Sequence, residues 1–247
     1  MWFGTRNGLS RYDGNSFKIF KPGKGNSISS EWINDIVEDS SGKIWVATME
    51  GLNSYDPASN SWENFMPNRE GAIRGLPSYI VRSLYIDKNN LLWIVPDVYE
   101  LTSYNIADKK FTHYNWPAYI KLAFPNLDKK YRTIQKVIPK SANELWLGTN
   151  IGLFLFDISK AAFSFKGCGF EGDIIDLKYD ASNKLVYLSS QDSGFFCYNE
   201  NNGSYQKIQL VPEPYPSATF NRKKLQDKPL WIASTLPNMR FSTSVSA

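Results

Sequence analysis

Histidine occurs once in the 247 residues, at His113, and cysteine twice, at Cys168 and Cys197. A single histidine cannot supply a Ser-His-Asp or Cys-His system with a histidine to spare, nor a histidine-rich metal site. No P-loop, G-x-S-x-G or H-E-x-x-H phrase occurs either. The cysteines lie in a Gly-flanked loop and in an aromatic strand without metal-type spacing, and read as two unpaired, semi-buried thiols. Charge of one sign is also scarce: 28 Lys and Arg stand against 24 Asp and Glu, too balanced for the phosphate neutralisation that nucleic acid demands. No apolar run approaches the roughly 20 residues that span a bilayer, and no basic start followed by an apolar stretch opens the chain. Direct membrane contact, a cofactor, a metal and an enzymatic role are therefore not expected.

Helix-type apolar periodicity is scarce as well, whereas aromatics reach 15% and Gly and Pro punctuate the chain every few residues. That combination favours sheet. What is abundant is self-similarity. "WFGTRNGLSRYD" begins at Trp2 and "WVATMEGLNSYD" at Trp45; related phrases begin at Trp93, Trp146, Tyr187 and Trp231, at intervals of 43, 48, 53, 41 and 44 residues. A period in the forties marks an array of like supersecondary units.

The stretch 30–66 shows one unit whole. "WINDIVED", "KIWVAT", "LNSYD" and "SWENFM" read as four short antiparallel strands separated by "SSGK", "MEG" and "PASN". In the first turn Asp39 can accept backbone N–H bonds while Gly42 takes a positive φ; Asp87 and Asp180 offer equivalents, so turn duty is preferred to metal ligation. Four strands per repeat at this period predict an all-β fold, a β-propeller of four-stranded blades. The assigned limits are a partial first blade at 1–20, blades at 30–66, 78–114, 132–166 and 172–210, a partial sixth at 217–235, and a tail at 236–247. Trp2, Trp45, Trp93, Trp146, Tyr187 and Trp231 are expected to fill the space between adjacent blades, with Tyr12, Tyr55, Tyr104, Phe156 and Tyr198 on the third strands packing there too. Gly8, Gly51, Gly152 and Gly194 precede those third strands where a turn needs positive φ.

The phrase W-[IVL]-G/A-T-x-x-G-L-x-x-[YF]-D, preceded by D-x-x-G and followed by an aromatic fourth strand, resembles the two-component-regulator propeller repeat. "DSSGKIWVATMEGLNSYDPASNSWENF" and "NELWLGTNIGLFLFD" carry the likeness best, and it extends from residue 1 to about 235. The resemblance implies the periplasmic sensor region of hybrid two-component histidine kinases of Bacteroidetes, which detects oligosaccharides and relays to a kinase module that this chain does not contain. It implies a larger propeller of which this is a fragment, with the first strand of blade one upstream. Closure is open: Ala218–Arg222 could complete blade one, or the arc could be finished by a neighbouring propeller or a homodimer partner.

Ligand candidates come from irregular connections, because binding groups gather on scaffolded loops. In the third blade "VPDVYEL" replaces the regular turn and adds Asp97, Tyr99 and Glu100. The segment after His113 carries Trp116, Tyr119, Lys121 and Arg132, as an aromatic and basic sugar-binding loop or else as a cap helix packed on the propeller. Across the inter-blade loops Lys21, Lys24, Arg69, Arg74, Lys121, Lys129 and Lys130 outnumber Glu31, Glu70 and Asp128, which predicts a preference for acidic oligosaccharides. A protein-binding scaffold is the competing role. A polysaccharide lyase or glycosidase built on Asp97 with Glu100 is the weaker one, since His113 is expected at the solvent-facing rim.

Overall fold

A computed structural model describes residues 1–67, 75–98, 100–126, 133–169 and 172–208. Nineteen strands and one helix are found among them. Blade one has three strands, β1 (Trp2–Thr5), β2 (Gly8–Tyr12) and β3 (Phe17–Phe20), and among the described residues nothing pairs with the outer side of β1. Blade two comprises β4 (Ile33–Glu38), β5 (Ile44–Thr48), β6 (Gly51–Asp56) and β7 (Ser61–Phe65). Blade three comprises β8 (Val81–Ile86), β9 (Leu91–Pro96), β10 (Leu101–Asn105) and β11 (Lys110–Tyr114). After α1 (Trp116–Ala123), blade four follows as β12 (Ile134–Ser141), β13 (Glu144–Thr149), β14 (Gly152–Asp157) and β15 (Ala162–Phe165). Blade five is β16 (Ile174–Asp180), β17 (Leu185–Ser190), β18 (Gly194–Asn199) and β19 (Ser204–Ile208). Each sheet runs in sequence order and is antiparallel throughout, a β-propeller arc of separate blades. The sixth blade at 217–235, Trp231, Ala218–Arg222 and the tail lie outside the described residues.

Blade stacking follows one rule. Strand alternation sends the second-strand indole and the residue two places on toward the next blade, while the third-strand aromatic faces the previous one. The rings meet across every junction: Trp2 with Tyr55 at 5.7 Å, Trp45 with Tyr104 at 5.7 Å, Trp93 with Phe156 at 5.8 Å and Trp146 with Tyr198 at 5.9 Å between centroids. Three of the four are edge-on, the arrangement ring quadrupoles favour. Trp93 and Trp146 are fully buried, and Trp45 nearly so. Each indole sits in a core cluster made mostly of the next blade's residues, as Trp146 does with Ile174, Leu177, Val186, Leu188 and Phe196. Two positions differ from expectation. Tyr12 faces away from blade two, with no preceding blade among the described residues, and packs on Phe17 of its own sheet instead. Tyr187 is half-buried, and the blade it would wedge against lies outside the described residues.

The residue two places after the indole, the G/A of the repeated phrase, has no room for a Cβ in blades one and four. A Cβ on Gly4 would stand 2.6 Å from Ile33 Cγ2, and one on Gly148 at the same distance from Ile174 Cγ2. Ala47 and Val95 occupy this position in blades two and three and are wholly buried.

Two local devices recur and hold the sheets in register, the first in blades one, two and four and the second in blades two and three. Thr5, Thr48 and Thr149 each donate Oγ1 to the carbonyl of the glycine three residues on, at 2.8–2.9 Å. Each also accepts the N–H two residues on. The glycine takes φ of +113°, +102° or +129°, and a Cβ there would strike a backbone carbonyl at 2.5–2.7 Å. In the first hairpin of blade two, Asp39 accepts the N–H groups of Ser41 and Lys43 through Oδ1 and the Trp45 indole N–H through Oδ2 at 2.9 Å. Asp87 repeats this for Trp93 at 3.3 Å. In blade four the residue six before the indole is Lys140, and Trp146 Nε1 has no partner among the described residues. The Lys140 ammonium lies 5.4 Å over the Trp146 ring and bridges Glu144 and Glu200.

Helix α1 occupies the connection from blade three to blade four. Asn115 caps it, accepting the Ala118 N–H at 3.0 Å. Trp116 and Ile120 are fully buried, Trp116 lying edge-on to Phe154 at 4.8 Å and to Phe163 at 5.1 Å. His113, expected at the surface, is mostly buried instead: its Nδ1 lies 2.8 Å from Glu100 Oε1 and 3.2 Å from Thr102 Oγ1. Strand β11 is outermost, but His113 lies on its inward face beside Phe111, opposite Thr102 of β10.

Two measurements check this packing. Trp93→Ala removes a wholly enclosed indole and is expected to cost about 3–5 kcal/mol in urea unfolding, whereas Tyr187→Ala, half-buried, costs less. Burial raises the Asp39 pKa, but the hydrogen bonds from Ser41, Trp45 and Lys43 outweigh it and hold the carboxyl below its ordinary value. With the folded pKa below the unfolded one, the stabilisation is complete above about pH 4 and is lost as pH falls through the folded value. Asp39→Asn is therefore expected to lower the melting temperature at pH 7, with the difference closing below about pH 4.

Candidate functional site

The first strands of blades two to five share an irregularity. In β4, β8, β12 and β16 the register slips by one residue at the second position, between Ile33 and Asp35, Val81 and Ser83, Ile134 and Lys136, and Ile174 and Asp176. A bulge at the same place in four consecutive blades bends each innermost strand and re-aims its side chains, as bulges beside binding sites do.

The residue after each bulge lies toward the axis: Asp35, Ser83, Lys136 and Asp176. Asp35 Oδ1 accepts the Ile36 N–H at 3.0 Å, and its Oδ2 accepts Leu84 N–H at 3.1 Å, Ser83 Oγ at 3.0 Å and Lys136 Nζ at 2.9 Å. Ser83 Oγ lies 3.5 Å from Val137 N, and Asp176 Oδ1 accepts Leu177 N–H at 3.0 Å. These side chains thus satisfy the amides at the fourth position of each bulged strand, and they tie blade two to blade four across the axis. Their work is structural. Asp35 is 4% exposed in its side chain and Lys136 22%, so the pair is sheltered from water.

The bulge residues themselves, Asn34, Arg82, Gln135 and Ile175, stand one layer nearer the loops. Asn34 Nδ2 donates to the Val81 carbonyl at 2.8 Å. Arg82 donates to Asp97 Oδ1 from Nε at 2.9 Å and from Nη2 at 2.6 Å. Gln135 Nε2 donates to Asp173 Oδ2 at 3.2 Å and to Thr133 Oγ1 at 3.1 Å. The turns between second and third strands lie beside these residues, because Met49, Asp97, Asn150 and Gln191 donate their N–H groups to the carbonyls of Trp32, Ile80, Thr133 and Asp173. Blade-to-blade connections and second turns therefore share one end of every blade, which is the mouth of the arc. Burial raises the Asp173 pKa; Arg82 opposes the rise from two blades away and Asp192 adds to it. Carboxylates, a guanidinium and a carboxamide thus converge there, partly open to water. Among the described residues no group of three His, Cys, Asp or Glu could hold a metal ion.

Of the residues singled out from sequence, Asp97 is at this mouth. Glu100, its expected catalytic partner, is engaged instead with His113 and Thr102. Trp116 is sealed in the core and offers no ring face to a sugar, a correction to its expected binding role. Its neighbour Tyr119 is half-buried against Trp116, Phe154 and Phe163. Lys121 is exposed on the last turn of α1, away from the core. Arg69, Arg74, Tyr99 and Arg132 lie outside the described residues, as do Lys129 and Lys130. Arg82, Gln135, Asn34 and Asp173 went unnoticed in the sequence, because a bulge at a fixed strand position leaves no compositional trace. Asp35→Ala, which strands the Lys136 ammonium and the Leu84 amide, is expected to cost about 3–5 kcal/mol in urea unfolding, part of which returns in Asp35→Asn/Lys136→Met.

The chain has recognisable relatives. Residues 27–50, which run from the end of the first connection through blade two's second strand, match the family model described as two component regulator propeller. No curated protein matches the sequence. The extracellular domain of the hybrid two component system BT3049 from B. thetaiotaomicron is similar over 83% of this chain, with a TM-score of 0.69 and 23% identity. The extracellular domain of BT4673 from the same organism is similar over 85%, with a TM-score of 0.65 and 19% identity. The chain spans 28% and 26% of those two structures. Among the described residues no helix is long and apolar enough to cross a membrane. Residues 27–50 thus resemble a two-component regulator propeller repeat, and the chain around them has a fold similar to the propeller blades of those extracellular domains.

Proposed function

We propose that this chain is part of the extracellular, periplasmic sensing region of a hybrid two-component system, and that it binds oligosaccharides at the mouth of the arc. The binding would be relayed to a kinase module carried elsewhere. One observation supports this reading above others. Four blades keep the same bulged backbone but place there four different side chains, Asn34, Arg82, Gln135 and Ile175. A backbone device held constant beneath varied side chains, polar in Asn34, Arg82 and Gln135, suits recognition of a ligand with several unlike hydroxyls, each taking a donor or an acceptor.

Of the seven cations behind the expected preference for acidic glycans, Arg69, Arg74, Lys129 and Lys130 lie outside the described residues, while Lys21, Lys24 and Lys121 are exposed. Among the described residues at the mouth, Glu50, Asp97, Asp173 and Asp192 accompany the guanidinium groups of Arg6 and Arg82, a balance that favours neutral sugars there. A protein-binding role is the second reading, and blade one favours it. Its face away from blade two carries Phe3, Tyr12, Phe17 and Ile19, the last two each 60% exposed, a surface suited to a neighbouring propeller or a second copy.

Thermal-shift titration with neutral hexaoses of glucose, xylose and mannose, beside oligogalacturonate, separates these readings. At least one neutral member is expected to raise the melting temperature, and Gln135→Ala to weaken its binding about tenfold. No shift with any member, together with self-association abolished by Phe17→Asp, would favour the scaffold instead.

A further inference from the structure

Most large apolar side chains left in water have a place in the stacking pattern or on the outer rim, but Trp32 and Tyr79 do not. They are 39% and 47% exposed, and both stand on the connections that enter the bulged first strands of blades two and three. Their backbones are fixed by one turn. Met49 N–H donates to the Trp32 carbonyl and Gly51 N–H to the Tyr79 carbonyl, so the two aromatic residues flank the blade-two turn on opposite sides.

The indole of Trp32 is held as well as exposed. The Arg6 guanidinium carbon lies 4.5 Å from its ring centroid, brought there because blade one's own turn is anchored by the Gly8 N–H on the Glu31 carbonyl. Arg6 and Glu50 are exposed on the turns either side, and Asn34 follows Trp32 by two residues at the mouth. A ring partly open to water, with charged and amide groups around it and no blade to wedge against, has no packing duty that explains its size. Aromatic π faces are negative and receive the weakly positive C–H face of a sugar ring, while the sugar's equatorial hydroxyls reach outward to the charged and amide groups.

We propose that Trp32 and Tyr79 are the stacking subsite of the oligosaccharide face, with Arg6 and Glu50 binding the hydroxyls of the stacked unit. The inference rests on the glycan reading of the mouth and adds where the sugar rings lie. It places the ligand across blades one to three, beside the polar ring of Asn34, Arg82 and Gln135.

The chain labelled with 5-fluorotryptophan tests it. Trp32→Phe assigns the Trp32 fluorine resonance, and the same four oligosaccharides are titrated in. A member that raises the melting temperature is expected to move the Trp32 resonance and leave those of buried Trp93 and Trp146 in place. Trp32→Ala and Tyr79→Ala are each expected to weaken that binding tenfold or more, with Trp32→Phe retaining part of it and all three keeping cooperative unfolding. Binding that survives in Trp32→Ala and Tyr79→Ala but fails in Gln135→Ala overturns the subsite and leaves the glycan reading standing. No binding by any member overturns both. An effect of Trp32→Ala on sedimentation rather than on sugar binding would also overturn the proposal, marking the pair as a contact between copies.

Discussion

Everything in the arc depends on the indole that each blade lends to the next. A four-stranded sheet has two apolar faces and cannot cover either by itself, so stability comes from junctions rather than from blades. At each junction one large ring from the second strand meets one ring from the following blade's third strand at 5.7–5.9 Å. That contact sets the blade spacing. In blades one and four the spacing in turn forces glycine two places on, because at Gly4 and Gly148 the next blade's isoleucine already occupies the site of a Cβ.

The same spacing accounts for the polar axis. First strands brought this close need their bulges, and each bulge frees an amide that must be satisfied away from bulk water. Asp35 satisfies two amides and Lys136 neutralises it from two blades away. The charged axis is not a reactive centre: its groups are engaged in backbone duty. The layer above, where Asn34, Arg82 and Gln135 emerge, is free to vary because nothing in the stacking rule constrains it.

His113 shows that an outermost strand need not expose its side chains. Alternation along β11 leaves Lys110 and Thr112 in water and puts His113 on the enclosed face with Phe111, on which it stacks. The irregular turn of blade three brings Glu100 and Thr102 over it, leaving His113 Nε2 buried with no partner among the described residues. Trp116 is the converse. An aromatic residue in a long connection resembles a binding platform until the connection folds into a helix whose ring fills the gap beside Phe154.

The sequence by itself determined the repeat, the four-strand unit, the wedge positions and the turn chemistry of Asp39 and of Gly8, Gly51 and Gly152. All of these are local or periodic, so spacing and residue type reveal them. Tertiary structure alone decided which side chains share the mouth. Arg82 and Asp97 are 15 residues apart, Gln135 and Asp173 38 and Asp35 and Lys136 101, and no periodicity announces such meetings. They follow from how far each bulge turns its strand toward the axis, which is set by the packing of neighbouring blades and not by the strand's own residues.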